Sequence, residues 1–400
     1  MIAISFLGLG KYDKESNKCF YEKAKYRYLN KTIETSYFAF AVNQFISPDK
    51  LFIVSTMEGF ANHEFELNKL LSFEKIIIPF GKTEDELWQM FEQISIHIPQ
   101  NESLTLDITH GFRSQPIIAL AIAAFLRITK NVTIEKILYG AFEAKDSDGV
   151  TPVFDLTNFF NIIDWAYCIQ HFTAHGDSKP LKKLLDTLHK KIYLERKQPI
   201  TIKNFGNLLN NITQSLTFIR PEEVSSLSKE LPEKINAVKN DINSYQELNP
   251  LKYLLDSIPK SFSSLVNEDK NIFSPSGFKM QSEMIKYYFE TEQFVQAVTL
   301  SREVFISLVC MRENYKPLKK DERIKAEALL YEWNTFHNKG FKLEEFPSNC
   351  SALWGKITNA RNDIDHAGMR ENPCPAKSLN DQVKHICHKT VELIYASQPI

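Results

Sequence analysis

Short apolar runs alternate with helical periodicities through the first third of the chain, and that alternation constrains the fold more than any other feature. Residues 2–7, 51–55, 75–78, 104–107 and 134–139 read as strands. Residues 32–45, 63–71, 84–96 and 115–128 read as helices between them. Apolar strands that lack clean in–out alternation must be covered on both faces, so the pattern predicts a mostly parallel sheet with helices on either side. Asp148-Gly149 followed by residues 151–156 predicts a turn and a late strand, with an antiparallel partner as one option.

Beyond residue 158 the strand signals fade. Helical patterns cover 159–171, 181–194, 202–216, 221–229, 232–246, 249–255, 279–289, 291–314, 323–336, 352–363 and 380–395. Pro221 and Pro232 suit first helical turns. The Ser-rich stretch 259–277 predicts an exposed loop. No repeat of fixed period is present. The expectation is therefore an α/β Rossmann-like domain with a mostly parallel sheet over 1–157, a connecting helix and linker over 158–180, and an all-α domain over 181–400.

Bulk properties exclude several classes. The 400 residues carry a net charge of −1, so strong electrostatic binding to long nucleic acid is not indicated and any such contact must be local. The six cysteines form no CxxC pair, which argues against a zinc knuckle or redox motif. Arg127 and Lys130 close the longest apolar run before it reaches bilayer length, and Met1 leads into a strand with no basic leader. The expectation is a soluble cytoplasmic chain with reduced thiols and no membrane association.

In such sheets ligands sit beyond the carboxyl ends of the strands. Two loops fall there. Gly8-Leu9-Gly10-Lys11 allows close backbone approach and adds a cation, although a plain glycine turn explains it equally. Asp13 leaves the GxGxxG fingerprint incomplete, which disfavours a dinucleotide-dependent oxidoreductase. The second loop runs through Thr109, His110, Gly111, Phe112, Arg113 and Ser114. Its side chains suit phosphates or base edges, Ser114 is placed to cap the following helix, and that helix start offers free N–H groups to an anion. The structural alternative is that Ser114 only caps and Arg113 only pairs with Asp107.

In the helical part, Arg361 and His366 enclose Asn362, Asp363 and Asp365, with Gly368 suggesting a helix end. Residues five apart meet only if the helix ends or bends between them. An arginine fork can hold a phosphate and a histidine can move a proton near neutral pH, so the pair could cleave RNA without a metal. A surface arginine bound to Asp363 or Asp365 is the alternative. No acidic or His/Cys cluster has metal-ligand spacing.

The segment 107–113, with 139–144 and 153–157, resembles the CRISPR-associated Rossmann-fold (CARF) proteins that accompany type III interference systems. Arg361 and His366, within Asn359-Ala360-Arg361-Asn362, resemble the catalytic motif of HEPN ribonucleases. The resemblance covers essentially the whole chain, strongest over 1–180 and thinner over 181–350. It implies a homodimer in which a cyclic oligoadenylate, acting as allosteric activator, binds Gly8, Leu9, Gly10, Lys11 and residues 109–114 of both sheet domains. Paired helical domains would then cleave single-stranded RNA, with Arg361 and His366 catalytic and Asn362 orienting them. Leu9 stands where relatives often carry a small polar residue, so ring contacts there are expected to be backbone-only. The resemblance further implies no cofactor, and a functional link to the type III interference complex without stable binding. Destruction of the ring by the sheet domain is left open. Two other readings remain: a non-catalytic sensor that binds RNA or protein, and a ribonuclease restrained by a partner protein.

Overall fold

A computed structural model describes residues 1–111, 114–196, 200–256, 258 and 262–396. The chain divides into two compact units, Met1–Ile163 and Asp164–Ile400.

The first unit contains β1 (Ile2–Leu7), β2 (Lys11–Asp13), β3 (Lys18–Phe20), β4 (Ala24–Tyr28), β5 (Lys31–Thr35), α1 (Phe38–Ile46), β6 (Lys50–Ser55) and α2 (Met57–Asn68). It continues with β7 (Glu74–Ile77), α3 (Glu84–Ile96), β8 (Ser103–His110), α4 (Gln115–Thr129), β9 (Thr133–Gly140), β10 (Val150–Asp155) and α5 (Thr157–Phe160). Eight strands form one sheet in the order β5-β4-β10-β9-β8-β1-β6-β7, while β2 and β3 pair only with each other. The run from β9 through β8, β1 and β6 to β7 is parallel. β10 turns back antiparallel to β9 and lies parallel to β4.

All six residues of β1 are buried, as a central strand covered on both faces requires. Ile2, Ile4 and Phe6 face a core with Met90, Ile94 and Ile122. Ala3 and Leu7 face the opposite core with Phe38, Val42 and Phe60. Helices α3 and α4 therefore cover one face, and α1 and α2 the other.

Two readings of this part need correction. Residues 32–45 are not one helix: Lys31–Thr35 is an edge strand paired with β4, and α1 begins only at Phe38. The β-branched Thr32, Ile33 and Thr35 suit the ladder, and Tyr26 and Tyr28 of β4 alternate inward opposite it. Ser114 adopts helical backbone angles and makes no side-chain cap bond, so α4 starts without the expected cap.

The second unit is helical: α6 (Ile162–His175), α7 (Lys179–Arg196), α8 (Ile202–Thr217), α9 (Pro221–Ser228), α10 (Leu231–Ser244) and α11 (Leu251–Leu255). Five longer helices follow: α12 (Pro275–Glu290), α13 (Phe294–Arg312), α14 (Lys320–Asn338), α15 (Glu345–Asp365) and α16 (Ala376–Ala396). One core joins them, centred on Val304, Phe305, Trp354 and Ile386. Among the described residues α13 alone is long and apolar enough to cross a membrane, and 61% of its apolar window is buried inside the unit.

The stretch expected as an exposed loop is exposed at Ser263, Ser264 and 268–271 but is pinned to the core between them, and residues 259–261 lie outside the described residues. Phe262, Leu265 and Asn267 are buried, and α12 already begins at Pro275. Ser274 accepts the Gly277 N–H at 3.0 Å and caps that helix, while Asn267 and Asp269 accept from Ser276 at 2.7 and 2.6 Å. A serine-rich composition was here a capping network, which composition alone does not distinguish from a solvated loop.

Candidate functional site

Parallel strands β1 and β8 end side by side, with Leu7 opposite His110. The Gly8 N–H donates to the His110 carbonyl at 2.7 Å, so the two expected loops leave the sheet from a common point. Gly10 then turns with φ +75°, and a Cβ on it would stand 2.4 Å from the Phe20 carbonyl oxygen. Only glycine fits both demands. The β2–β3 hairpin folds back there and delivers Phe20, Tyr21 and Glu22 over the strand ends.

Asp107 is the anchor beneath. It is fully buried, accepts the Ser5 hydroxyl, and accepts the Thr109 N–H at 2.8 Å. Burial raises its carboxyl to about 6, against the opposing pull of those hydrogen bonds. The Thr109 hydroxyl oxygen in turn accepts the Gly140 N–H at 2.9 Å, tying the ends of β8 and β9 together. Asp107 thus serves the loop's geometry; the alternative in which it pairs with Arg113 falls on a residue outside those described.

His110 projects into this corner. Its ring centroid lies 4.2 Å from that of Tyr21, and its Nε2 is buried with no hydrogen-bond partner among the described residues. Burial, followed by the neighbouring His63, pushes its pKa down to about 4, so the ring is neutral at physiological pH. His63 contacts the Leu9 carbonyl oxygen through Nε2 at 2.9 Å and the Tyr37 hydroxyl through Nδ1 at 3.2 Å. It fixes the first loop from below.

Together these elements enclose a cavity of 220 Å³. Gly10, Lys11, Thr109 and His110 of the two loops line it, as do Tyr139 and Phe142 from the third segment singled out in the sequence. Gly8 and Leu9 stand behind it through their bonds to His110 and His63. Gly111 lies close against Gln115 and Phe6. Phe112 and Arg113 lie outside the described residues. Lys11 is less free than its sequence position suggests, because its ammonium is paired with the Glu22 carboxylate on the cavity rim. Sequence reasoning missed Phe20, Tyr21, Tyr26 and His63. The first three lie on or beside the hairpin and strand that went unrecognised, and His63 was read only as part of a helix.

In the helical unit α15 carries the second candidate group. Arg361 is half-buried and forms an ion pair through Nε with Asp365 Oδ2 at 2.7 Å; its fork also donates to Asn362 Oδ1 at 3.4 Å. The helix ends at Asp365, and His366 is its exposed C-cap. Gly368, at φ +69°, donates its N–H to the Asp363 carbonyl at 2.9 Å and closes the terminus. Asp363 is buried, accepts the Cys374 N–H at 3.3 Å and lies 3.6 Å from Arg370. Five residues of helix separate Arg361 from His366 by roughly 140° around the axis. Among the described residues no hydrogen bond or ion pair joins the two side chains, and both reach solvent. Among the described residues no group of three or more His, Cys, Asp or Glu side chains is placed to hold a metal ion.

Comparison with known proteins places the chain beside one CRISPR-associated protein. Residues 161–269 match the family described as CRISPR-associated protein MJ1674, second domain. Over 308 residues the chain is 28% identical to CRISPR-associated protein MJ1674 of Methanocaldococcus jannaschii, covering 76% of this chain and 44% of that protein. The two are homologous, and the chain spans less than half the length of that relative.

Proposed function

We propose that this chain is a CRISPR-associated CARF–HEPN ribonuclease, switched on by a cyclic oligoadenylate and cleaving single-stranded RNA without a metal. The observation that carries the reading is the convergence of the Gly8–Lys11 and Thr109–His110 loops on one aromatic-walled cavity at the carboxyl edge of the sheet. Such a site suits a nucleotide: Tyr139 and Phe142 offer faces for stacking, His110 Nε2 offers an unused hydrogen-bonding atom, and the glycine loop offers backbone. On the sequence reading Arg113 adds a fork for phosphate. A symmetric ring calls for two copies of these loops, hence a homodimer. The link to a type III interference complex is then functional, through the ring, without stable binding.

In the helical unit the same symmetry brings together Arg361 and His366 from two chains. The nucleophile is the RNA's own 2′-OH, which attacks the adjacent phosphorus while the 5′ oxygen leaves. His366 removes the proton from the 2′-OH or returns one to the 5′ oxygen, Arg361 stabilises the charge on the phosphorane, and Asn362 orients the group. The test is cleavage of a fluorescent RNA, in EDTA, with rings of three, four and six adenylates. One ring should activate; no cleavage with any of them would sink the reading.

One observation favours a second reading, a ring sensor that binds RNA or protein without cutting. Arg361 is engaged by Asp365 within its own chain, which leaves its charge partly neutralised. Ring binding with no RNA cleavage under any condition would decide for it.

A further inference from the structure

The antiparallel hairpin of α15 and α16 encloses a groove of 380 Å³ that the proposed chemistry does not use. Lys356 enters it from α15, and His385, Lys389 and Glu392 from α16. The Lys356 ammonium sits 3.1 Å from His385 Nε2, so a neutral imidazole accepts from it. Among the described residues Glu392 is the one carboxylate lining the groove; it binds Lys389 at 2.7 Å and His388 at 3.3 Å. Two ammonium groups therefore face one carboxylate, with the His385 imidazole beside them. Leu353 and Leu393 form an apolar wall along the same groove.

We infer that this groove binds a backbone phosphate of single-stranded RNA, held by Lys356 and Lys389 with the nucleoside against the apolar wall. The inference rests on the ribonuclease reading above and names a substrate contact for it. The lining gives the reason for RNA over a free anion: Lys356 and Lys389 stand beside the aliphatic Leu353 and Leu393, so the groove offers a place for a phosphate and for the nucleoside next to it. An anion here would also relieve an existing strain of charge. The His385 imidazole is held below its usual pKa, by desolvation first and then by Lys356 and Lys389. A mixed wall of cations and aliphatic carbon fits a nucleotide strand better than it fits inorganic phosphate.

The probe is a fluorescent 2′-O-methyl RNA of twenty nucleotides, which the 2′-OH mechanism cannot cut, titrated onto the full chain over a range of salt. Lys356→Ala and Lys389→Ala should each weaken binding roughly tenfold and flatten the salt dependence by about one contact. Glu392→Gln, which frees Lys389 and His388, should tighten it. All three positions are exposed, and thermal melts should stay near wild type. Unchanged affinity and salt slope in both lysine variants would overturn the inference. RNA cleavage is followed in parallel with an unmodified strand. Cleavage that persists while the lysines prove irrelevant to binding sinks this site alone. Lysine-dependent binding in a chain that never cleaves supports the site and sinks the ribonuclease reading.

Discussion

Arg361 and Asp365 are joined by an ion pair of 2.7 Å across one turn of α15. Both side chains are partly solvated, so the pair adds only about 0.3–0.5 kcal/mol to stability. Its consequence for chemistry is larger in kind: the carboxylate neutralises the fork that would meet a scissile phosphate. Asp365→Asn should raise kcat/KM for RNA about twofold, the equivalent of releasing that energy, with little change in melting temperature. Cleavage assays on the purified variant check the direction.

A second expectation concerns the first loop. Gly10→Ala places a methyl group 2.4 Å from the Phe20 carbonyl at a positive φ. The hairpin must shift, at a cost of about 1–3 kcal/mol. Ring-dependent activation should fall with it, and calorimetric titration with the activating ring reads the loss. Lys11→Ala should matter less, since Glu22 already holds that ammonium.

The sequence made the central strands legible because each is a continuous apolar run. It did not reveal β2 to β5. The hairpin strands Lys11–Asp13 and Lys18–Phe20 are polar and exposed, so nothing in their composition separates them from a loop. In residues 32–45 the apolar positions of a strand and of the next helix joined into a false helical period. The candidate ligand loops were visible through glycines and a strand-to-helix switch. The residues that complete the cavity were not, because Tyr21 and Tyr26 reach it through tertiary folding of unrecognised strands. His63 is a buried helix residue whose partner is the backbone of Leu9, a contact no local pattern encodes.

Removal of His110 should separate recognition from folding. Its Nε2 has no partner among the described residues, and the residue lines the cavity that the ring would enter. His110→Ala should weaken ring binding by roughly 5- to 150-fold, the cost of about 1–3 kcal/mol for one buried hydrogen bond. His110→Gln should recover part of that. Fluorescence titration with the activating ring gives both numbers, and equal affinity in all three proteins would show that the ring does not use this atom.

The pH dependence of the sheet unit should carry two opposed signatures. Asp107 has a raised folded pKa of about 6, so between its ordinary value of 3.8 and 6 the folded chain binds more protons and stability falls as pH rises. His110 has a lowered folded pKa of about 4, so between 4 and its ordinary value of 6.5 the unfolded chain binds more protons and stability rises with pH. Relative to wild type, Asp107→Asn should therefore gain stability from pH 4 to 6, and His110→Gln should lose it. Each slope should approach about 1.4 kcal/mol per pH unit. Denaturant melts at intervals across that range measure both.

The most direct test is mass spectrometry of the ends of RNA cut by ring-activated protein in EDTA, with wild type and His366→Ala side by side. The mechanism requires a 2′,3′-cyclic phosphate and a 5′-hydroxyl, no cleavage of DNA, and a loss of about 10²–10⁴-fold in the variant, with ring binding intact. Products ending in 5′-phosphate, activity abolished by EDTA, or a His366→Ala variant as fast as wild type would contradict it.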